Sequence, residues 1–137
     1  MLNIKGITES IFKLDNRIRY VAILNHQYDL LESRMREGVQ SLTPDQTDRD
    51  FMTIAAPLMV DAAEKLRPFA GSIRRITVRY DKVLLVFYRT TAHVVILSLE
   101  PQVEQALLDE IGKSVRKLEL ESAEKEAAKE TEKNNSS

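Results

Sequence analysis

The chain has 137 residues, 43% of them hydrophobic and 30% charged, with a net charge of −1 and no cysteine. That length is enough for one domain with a real core and hardly enough for two, and without cysteine there is no disulfide framework, thiolate metal site or cysteine nucleophile. Arg and Lys interrupt every apolar run before it reaches the roughly eighteen residues a membrane span requires, the opening MLNIKGITES lacks the apolar block of a secretory signal, and a cytoplasmic location is expected.

Charge is unevenly spread. Residues 1–120 carry 17 basic and 16 acidic side chains, whereas residues 121–137 carry three lysines against five glutamates. Neither stretch has the marked basicity of a dedicated nucleic-acid binder, so nucleic acid is not an expected partner.

Ile4, Ile7, Ile11 and Leu14 recur at intervals of three and four, with Phe12 beside them, which predicts a short amphipathic helix. Asp15-Asn16 ends it. Residues 17–24 then alternate as a strand, with Ile18, Tyr20, Ala22 and Leu24 on one face and Arg19, Val21 and Ile23 on the other. Asn25-His26-Gln27 turns the chain into a more polar strand at residues 28–35, expected at a sheet edge. Gly38, after Arg36-Glu37, suits a left-handed backbone.

Thr43-Pro44-Asp45-Gln46 predicts a helix start, with Thr43 as the cap and Pro44 at the first helical position. Asp45, Asp48 and Asp50 suit the positive end of the helix dipole. Phe51, Ile54, Ala55, Leu58, Ala62 and Leu66 then form a stripe at helical spacing. Pro57 interrupts it, deleting a hydrogen bond and crowding the Thr53 carbonyl at a cost of about 3 kcal/mol. A kink near residues 53–56, or two successive helices, is therefore expected. Met52, Met59, Ala55, Ala56 and Ala63 widen the apolar surface beyond the needs of one sheet face. A broad core-facing helix accounts for them; so does a second subunit packed against the side that carries Met52 and Met59.

Residues 73–99 hold three strand-length runs, IRRITVRY, KVLLVFYR and HVVILSL, joined by very short connections. In the first, Ile76 and Val78 alternate with Arg75, Thr77 and Arg79, giving one apolar and one basic face. The second and third are apolar on both faces and need cover on both sides of the sheet. After Pro101, the residues Val103, Leu107, Ile111, Val115 and Leu118 define a last helix. Residues 121–137 can extend it through charged pairs but have nothing to bury, so they are expected to fray into a disordered tail beyond a single domain of residues 1–120. The order α-β-β-α-β-β-β-α predicts an α+β domain: a five-stranded antiparallel sheet with helices on both faces.

That order resembles the roadblock (dynein light chain) and longin group of profilin-like domains. LDNRIRYVAILN at residues 14–25, followed by MREGVQSL at residues 35–42, also resembles a family of small uncharacterised archaeal proteins, with Arg36, Glu37, Gly38, Ser41 and Leu42 in its most recognisable portion. The chain departs from that pattern at residues 25–28, where a glycine would be expected. The second resemblance implies a fold and a lineage; the first implies homodimers that act as scaffolds or regulators of small GTPases.

Candidate chemistry is sparse. His26 and His93 would need to meet each other and carboxylates to hold a metal, and a turn and a surface position account for them more simply. Glu32, Glu37, Asp45, Asp48 and Asp50 are explained by helix starts and solvated faces. There is no nucleophile elbow, phosphate loop or dinucleotide fingerprint, so no catalytic, cofactor or metal residue is assigned. Arg74, Arg75, Arg79, Lys82 and Arg89 stand against Asp81 alone in residues 73–89, either as protection of a sheet edge or as a surface for an anionic partner. The expected interaction surface comprises Arg75, Thr77, Arg79, Met52, Met59, Arg36 and Glu37. The function expected is a non-enzymatic regulatory or scaffold domain, homodimeric, with a protein partner of the small-GTPase class and no membrane; the alternative is a PAS-like or profilin-like sensor holding a small ligand between sheet and helix.

Overall fold

The computed structural model describes residues 3–135. Helix α1 (Ile4–Phe12) leads into β1 (Ile18–Asn25) and β2 (Leu30–Met35). A middle helical segment follows: α2 (Asp45–Asp50), a π-helical turn (Phe51–Ala55), α3 (Ala56–Glu64) and the single turn α4 (Arg67–Ala70). Strands β3 (Arg75–Arg79), β4 (Leu84–Arg89) and β5 (His93–Leu99) precede the long helix α5 (Gln105–Asn135). All strand pairs are antiparallel, in the order β2-β1-β5-β4-β3. The α+β architecture with helices on both faces of five antiparallel strands is the one read from the sequence.

The two-sided apolar character of β4 and β5 decides the layering. Val86 and Tyr88 of β4, Val95 and Leu97 of β5, and Val21 and Ile23 of β1 are buried under α1 and α5, beside Ile7, Ile11, Leu108 and Ile111. The alternate residues Phe87, Val94, Ile96, Ala22 and Leu24 are buried under the middle segment, beside Met52, Ala56 and Val60. Each such aliphatic or aromatic side chain contributes about 1.5–3 kcal/mol relative to exposure. β5 therefore sits at the centre, with β2 and β3 at the edges.

Two local expectations are corrected. Ile18 does not share a face with Tyr20: a bulge at residues 18–20, where Ile18 pairs Leu99 and Tyr20 pairs Ser98, moves Ile18 into the cluster of Val21 and Ile23. Thr43 does not cap the middle segment; α2 begins at Asp45 behind an extended Pro44, and the Thr43 hydroxyl donates to the Asp48 carboxylate instead. From residue 121 the charged stretch extends α5 to Asn135, and the backbone amide of Asn3 donates to the Ser122 hydroxyl at 3.2 Å.

The turn at residues 25–28 contains no glycine. Tyr28 takes the left-handed conformation in its place, at φ 64°. Its neighbour Asn25 stabilises the turn by accepting hydrogen bonds from the amides of Gln27 (2.9 Å) and Asp29 (3.0 Å). Gly38 is left-handed at φ 81°, as expected. No helix among the described residues is long and apolar enough to cross a membrane.

Candidate interaction surface

The middle segment carries the most conspicuous unpartnered surface. Pro57 lies in the first turn of α3, and just before it the amide of Ala56 bonds to the carbonyl of Phe51, five residues back. The wide turn lets the helix continue through the proline without the clash an α-helical interior would impose. Below it, Met52, Ala56 and Val60 recur every four residues and pack on the sheet. Ala56 and Ala22 of β1 are both fully buried in the same cluster, and their small size suits close approach of helix and strand.

The bulky residues then face outward. Ile54 is 61% exposed, Leu58 67%, Leu66 63% and Phe69 89%, with exposed Ala62 continuing the row. This reverses the expected assignment of faces. The stripe Ile54-Leu58-Ala62-Leu66 does not meet the sheet, while Met52, expected on the partner side, is 4% exposed and Met59 packs against the same core cluster. Apolar residues surround this helix almost completely, so their spacing alone does not choose a face.

Polar contacts hold the segment to the sheet. The Tyr20 hydroxyl lies 2.7 Å from the Ser33 hydroxyl and 3.5 Å from the Met52 sulfur. The Tyr28 hydroxyl donates to Asp61 at 2.6 Å; burial, then that carboxylate, pushes its pKa up to about 12. At the far end Arg89 of β4 donates to Glu64 at 2.7 Å. The row thus stands on a helix fixed at several points along its length. Next to its beginning a hollow of about 530 Å³ opens between sheet and helix, lined by Tyr20, Phe51, Met52, Leu85 and Ile96 among others.

The basic face of β3 is turned toward α5. Arg75 pairs with Asp109 and donates to Gln105 at 3.0 Å, and Arg79 donates to the carbonyl of Pro101. Thr77 lies exposed between them. The Arg75 guanidinium, by hydrogen bond and charge, holds the Asp109 carboxyl below its ordinary value. Arg36 also turns inward, donating to the carbonyls of Ile18 (2.7 Å), Phe12 (2.7 Å) and Asp15 (2.8 Å), while Glu37 is exposed. The structure does not bring these seven residues together on one surface.

The histidines are far apart in role. His93 is buried, its Nδ1 3.0 Å from Glu119, which also accepts from the Thr90 hydroxyl and from the Ala92 amide at 3.0 Å. Burial tends to raise the Glu119 pKa, and the hydrogen bonds from His93, Thr90 and Ala92 outweigh it and leave the carboxyl below its ordinary value. His26 lies in the β1–β2 turn beside Arg89. Among the described residues no group of three or more His, Cys, Asp and Glu side chains is arranged to hold a metal.

No family model matches the chain, and no curated protein resembles it in sequence. Solved structures do resemble it. MglB of Myxococcus xanthus superposes with a TM-score of 0.63 over 85% of this chain and 93% of its own, at 13% identity. The chain has a roadblock fold. A roadblock/LC7 domain from Streptomyces avermitilis gives 0.63 over 83% and 92%, at 14% identity. An MglB structure with a tetrameric arrangement gives 0.60 over 86% and 88%, at 9% identity. At such identities the likeness concerns the roadblock fold and not the residues of any site.

Proposed function

We propose that this chain is a non-enzymatic regulatory or scaffold domain that self-associates through the outward row of its middle helix and acts by binding another protein. The observation that carries the reading is the row itself: Ile54, Leu58, Leu66 and Phe69 are large, apolar and exposed in succession along the middle segment. Scattered surface leucines need no explanation, but an aligned row of this kind marks an interface. The tetrameric arrangement of a fold neighbour supports association between copies. A small GTPase is the partner class that the roadblock resemblance suggests, in the cytoplasm, and the resemblance of residues 14–25 and 35–42 to small archaeal proteins adds lineage without activity.

Light scattering at high micromolar concentration tests the association. The expected mass is twice the 15.7 kDa of one chain, and L58D is expected to return it to 15.7 kDa with its circular dichroism unchanged. A wild-type monomer under those conditions overturns the reading. Titration against a small GTPase in its two nucleotide states then tests the partner class.

The alternative of a small-ligand sensor draws support from the hollow of about 530 Å³, which lies within the size range of ligand pockets and is walled by aromatic and aliphatic side chains. Thermal-shift screening of apolar metabolites against the wild type and I96W, which fills the hollow, separates this reading from the first.

A further inference from the structure

The basic residues of the sequence divide in the fold. Arg75 and Arg79 are engaged by the start of α5 and the loop before it, but Arg74 and Arg89 line a second hollow, of about 780 Å³, together with Arg67 and Arg116. It lies at the end of the sheet where α4, the segment leading into β3, the end of β4 and the body of α5 converge. Four guanidinium groups from four elements thus surround one concavity. Glu64 is the single carboxylate residue in its wall, leaving a surplus of three positive charges.

The lining acid and acids on the adjoining helices are already engaged. Glu64 is 2.7 Å from Arg89 and 3.8 Å from Arg67, tying those two arginines together. Glu119, behind Thr90, is bonded to Thr90, Ala92 and His93; Asp109 is held by Arg75; Asp61 accepts from Tyr28. Arg116 donates to the main-chain carbonyl of Arg74 at 3.1 Å, and neither of these side chains has a carboxylate within ion-pair distance among the described residues. Like charges gathered in a concave wall repel one another, and a multiply charged anion at the centre removes the repulsion.

We propose that this hollow is a binding site for a compact oligophosphate, held chiefly by Arg74 and Arg116, with Arg67 and Arg89 completing the wall. Guanidinium groups match phosphate oxygens two at a time. Their arrangement around a hollow, rather than along a groove, fits a compact polyanion instead of an extended acidic chain. The exposed hydroxyl-bearing residues Ser72 and Thr91 on the same wall offer further donors. The volume lies in the range of small-molecule sites and accommodates either a free oligophosphate or the phosphates of a nucleotide.

Isothermal titration calorimetry on the full chain, at low and at physiological salt, tests the site with pyrophosphate and with ATP. Saturable binding that weakens with salt is expected for at least one of them. R74Q and R116Q should each weaken it about tenfold, and the double variant should abolish it. R34Q, which removes a guanidinium lying against Glu9 of α1, should leave it unchanged. Tripolyphosphate, which carries as many phosphates as ATP, separates the sources: equal affinity for it and for ATP identifies the oligophosphate alone as the recognised group, and tighter ATP binding adds a nucleoside contact. Circular dichroism confirms that each variant is folded. The proposal is overturned if none of these ligands binds at millimolar concentration in low salt, or if the folded double variant binds as the wild type does. Neither result depends on whether the chain dimerises.

Discussion

Arg36 gathers three pieces of backbone that would otherwise have separate fates: the last turn of α1, the loop after it and the beginning of β1. Its guanidinium also lies 5.1 Å from the centre of the Phe12 ring. A hydrogen bond from a charged donor is worth about 1.5–3 kcal/mol, and bonds that share one part-buried guanidinium do not add in full, so R36A should destabilise the chain by about 2–4 kcal/mol in urea titrations. R36K should recover little of that, since a lysine cannot reach three carbonyls in a fork. Glu119 gives a second prediction. Its pKa is lower in the folded chain than in the unfolded one, so the unfolded chain takes up the proton first as pH falls. The stabilisation is therefore complete above the ordinary glutamate value of 4.5 and is lost on acidification below it. Denaturant midpoints measured across that range should fall for the wild type and fall less for E119Q. At neutral pH, E119Q should already cost about 1–3 kcal/mol, because the hydrogen bonds to Thr90, Ala92 and His93 are made with a neutral amide in place of a charged acceptor.

At the scale of elements, α5 crosses the sheet at Gly112. A methyl group at that position would come within 2.9 Å of the Tyr88 ring, whose hydroxyl donates to the Leu108 carbonyl at 2.8 Å and fixes it against the helix. G112A gains about 1 kcal/mol of helix propensity but overpacks the contact by about 1–3 kcal/mol. A lower melting temperature is therefore expected, where an exposed glycine in the same helix would give a higher one. How legible each element was in the sequence follows from the number of ways its pattern could be satisfied. The strands β4 and β5 are apolar on both faces inside short, sharply bounded runs, and only a sheet covered on both faces accommodates them. The middle segment is apolar nearly all round, so its own spacing left the choice between Ile54-Leu58 and Met52-Ala56 as the buried face open, and the sheet it packs on decided it. The bulge at Ile18 left no trace in the alternation of β1. The arginines at positions 67, 74, 89 and 116 carry no common local pattern, because only the folded sheet brings them together.

On the scale of the whole molecule, protection should follow the layering. Amide hydrogen exchange is expected to be slowest in β5, β4 and β1, which have neighbours on both sides, and fastest in β2, β3 and the exposed end of α5. If β2 or β3 exchanged as slowly as β5 in dilute solution, an edge would have to be covered by another chain. The strand order has a consequence for the history of each molecule as well. β1 pairs with β5, and some seventy residues lie between them. During synthesis β1, apolar on both faces, must wait until β5 has left the ribosome. Such long-range closure makes refolding slow for a chain of this size. The newborn protein is therefore most exposed to misassociation just before its central strand arrives, and cells that make it in quantity have reason to shield it during that interval.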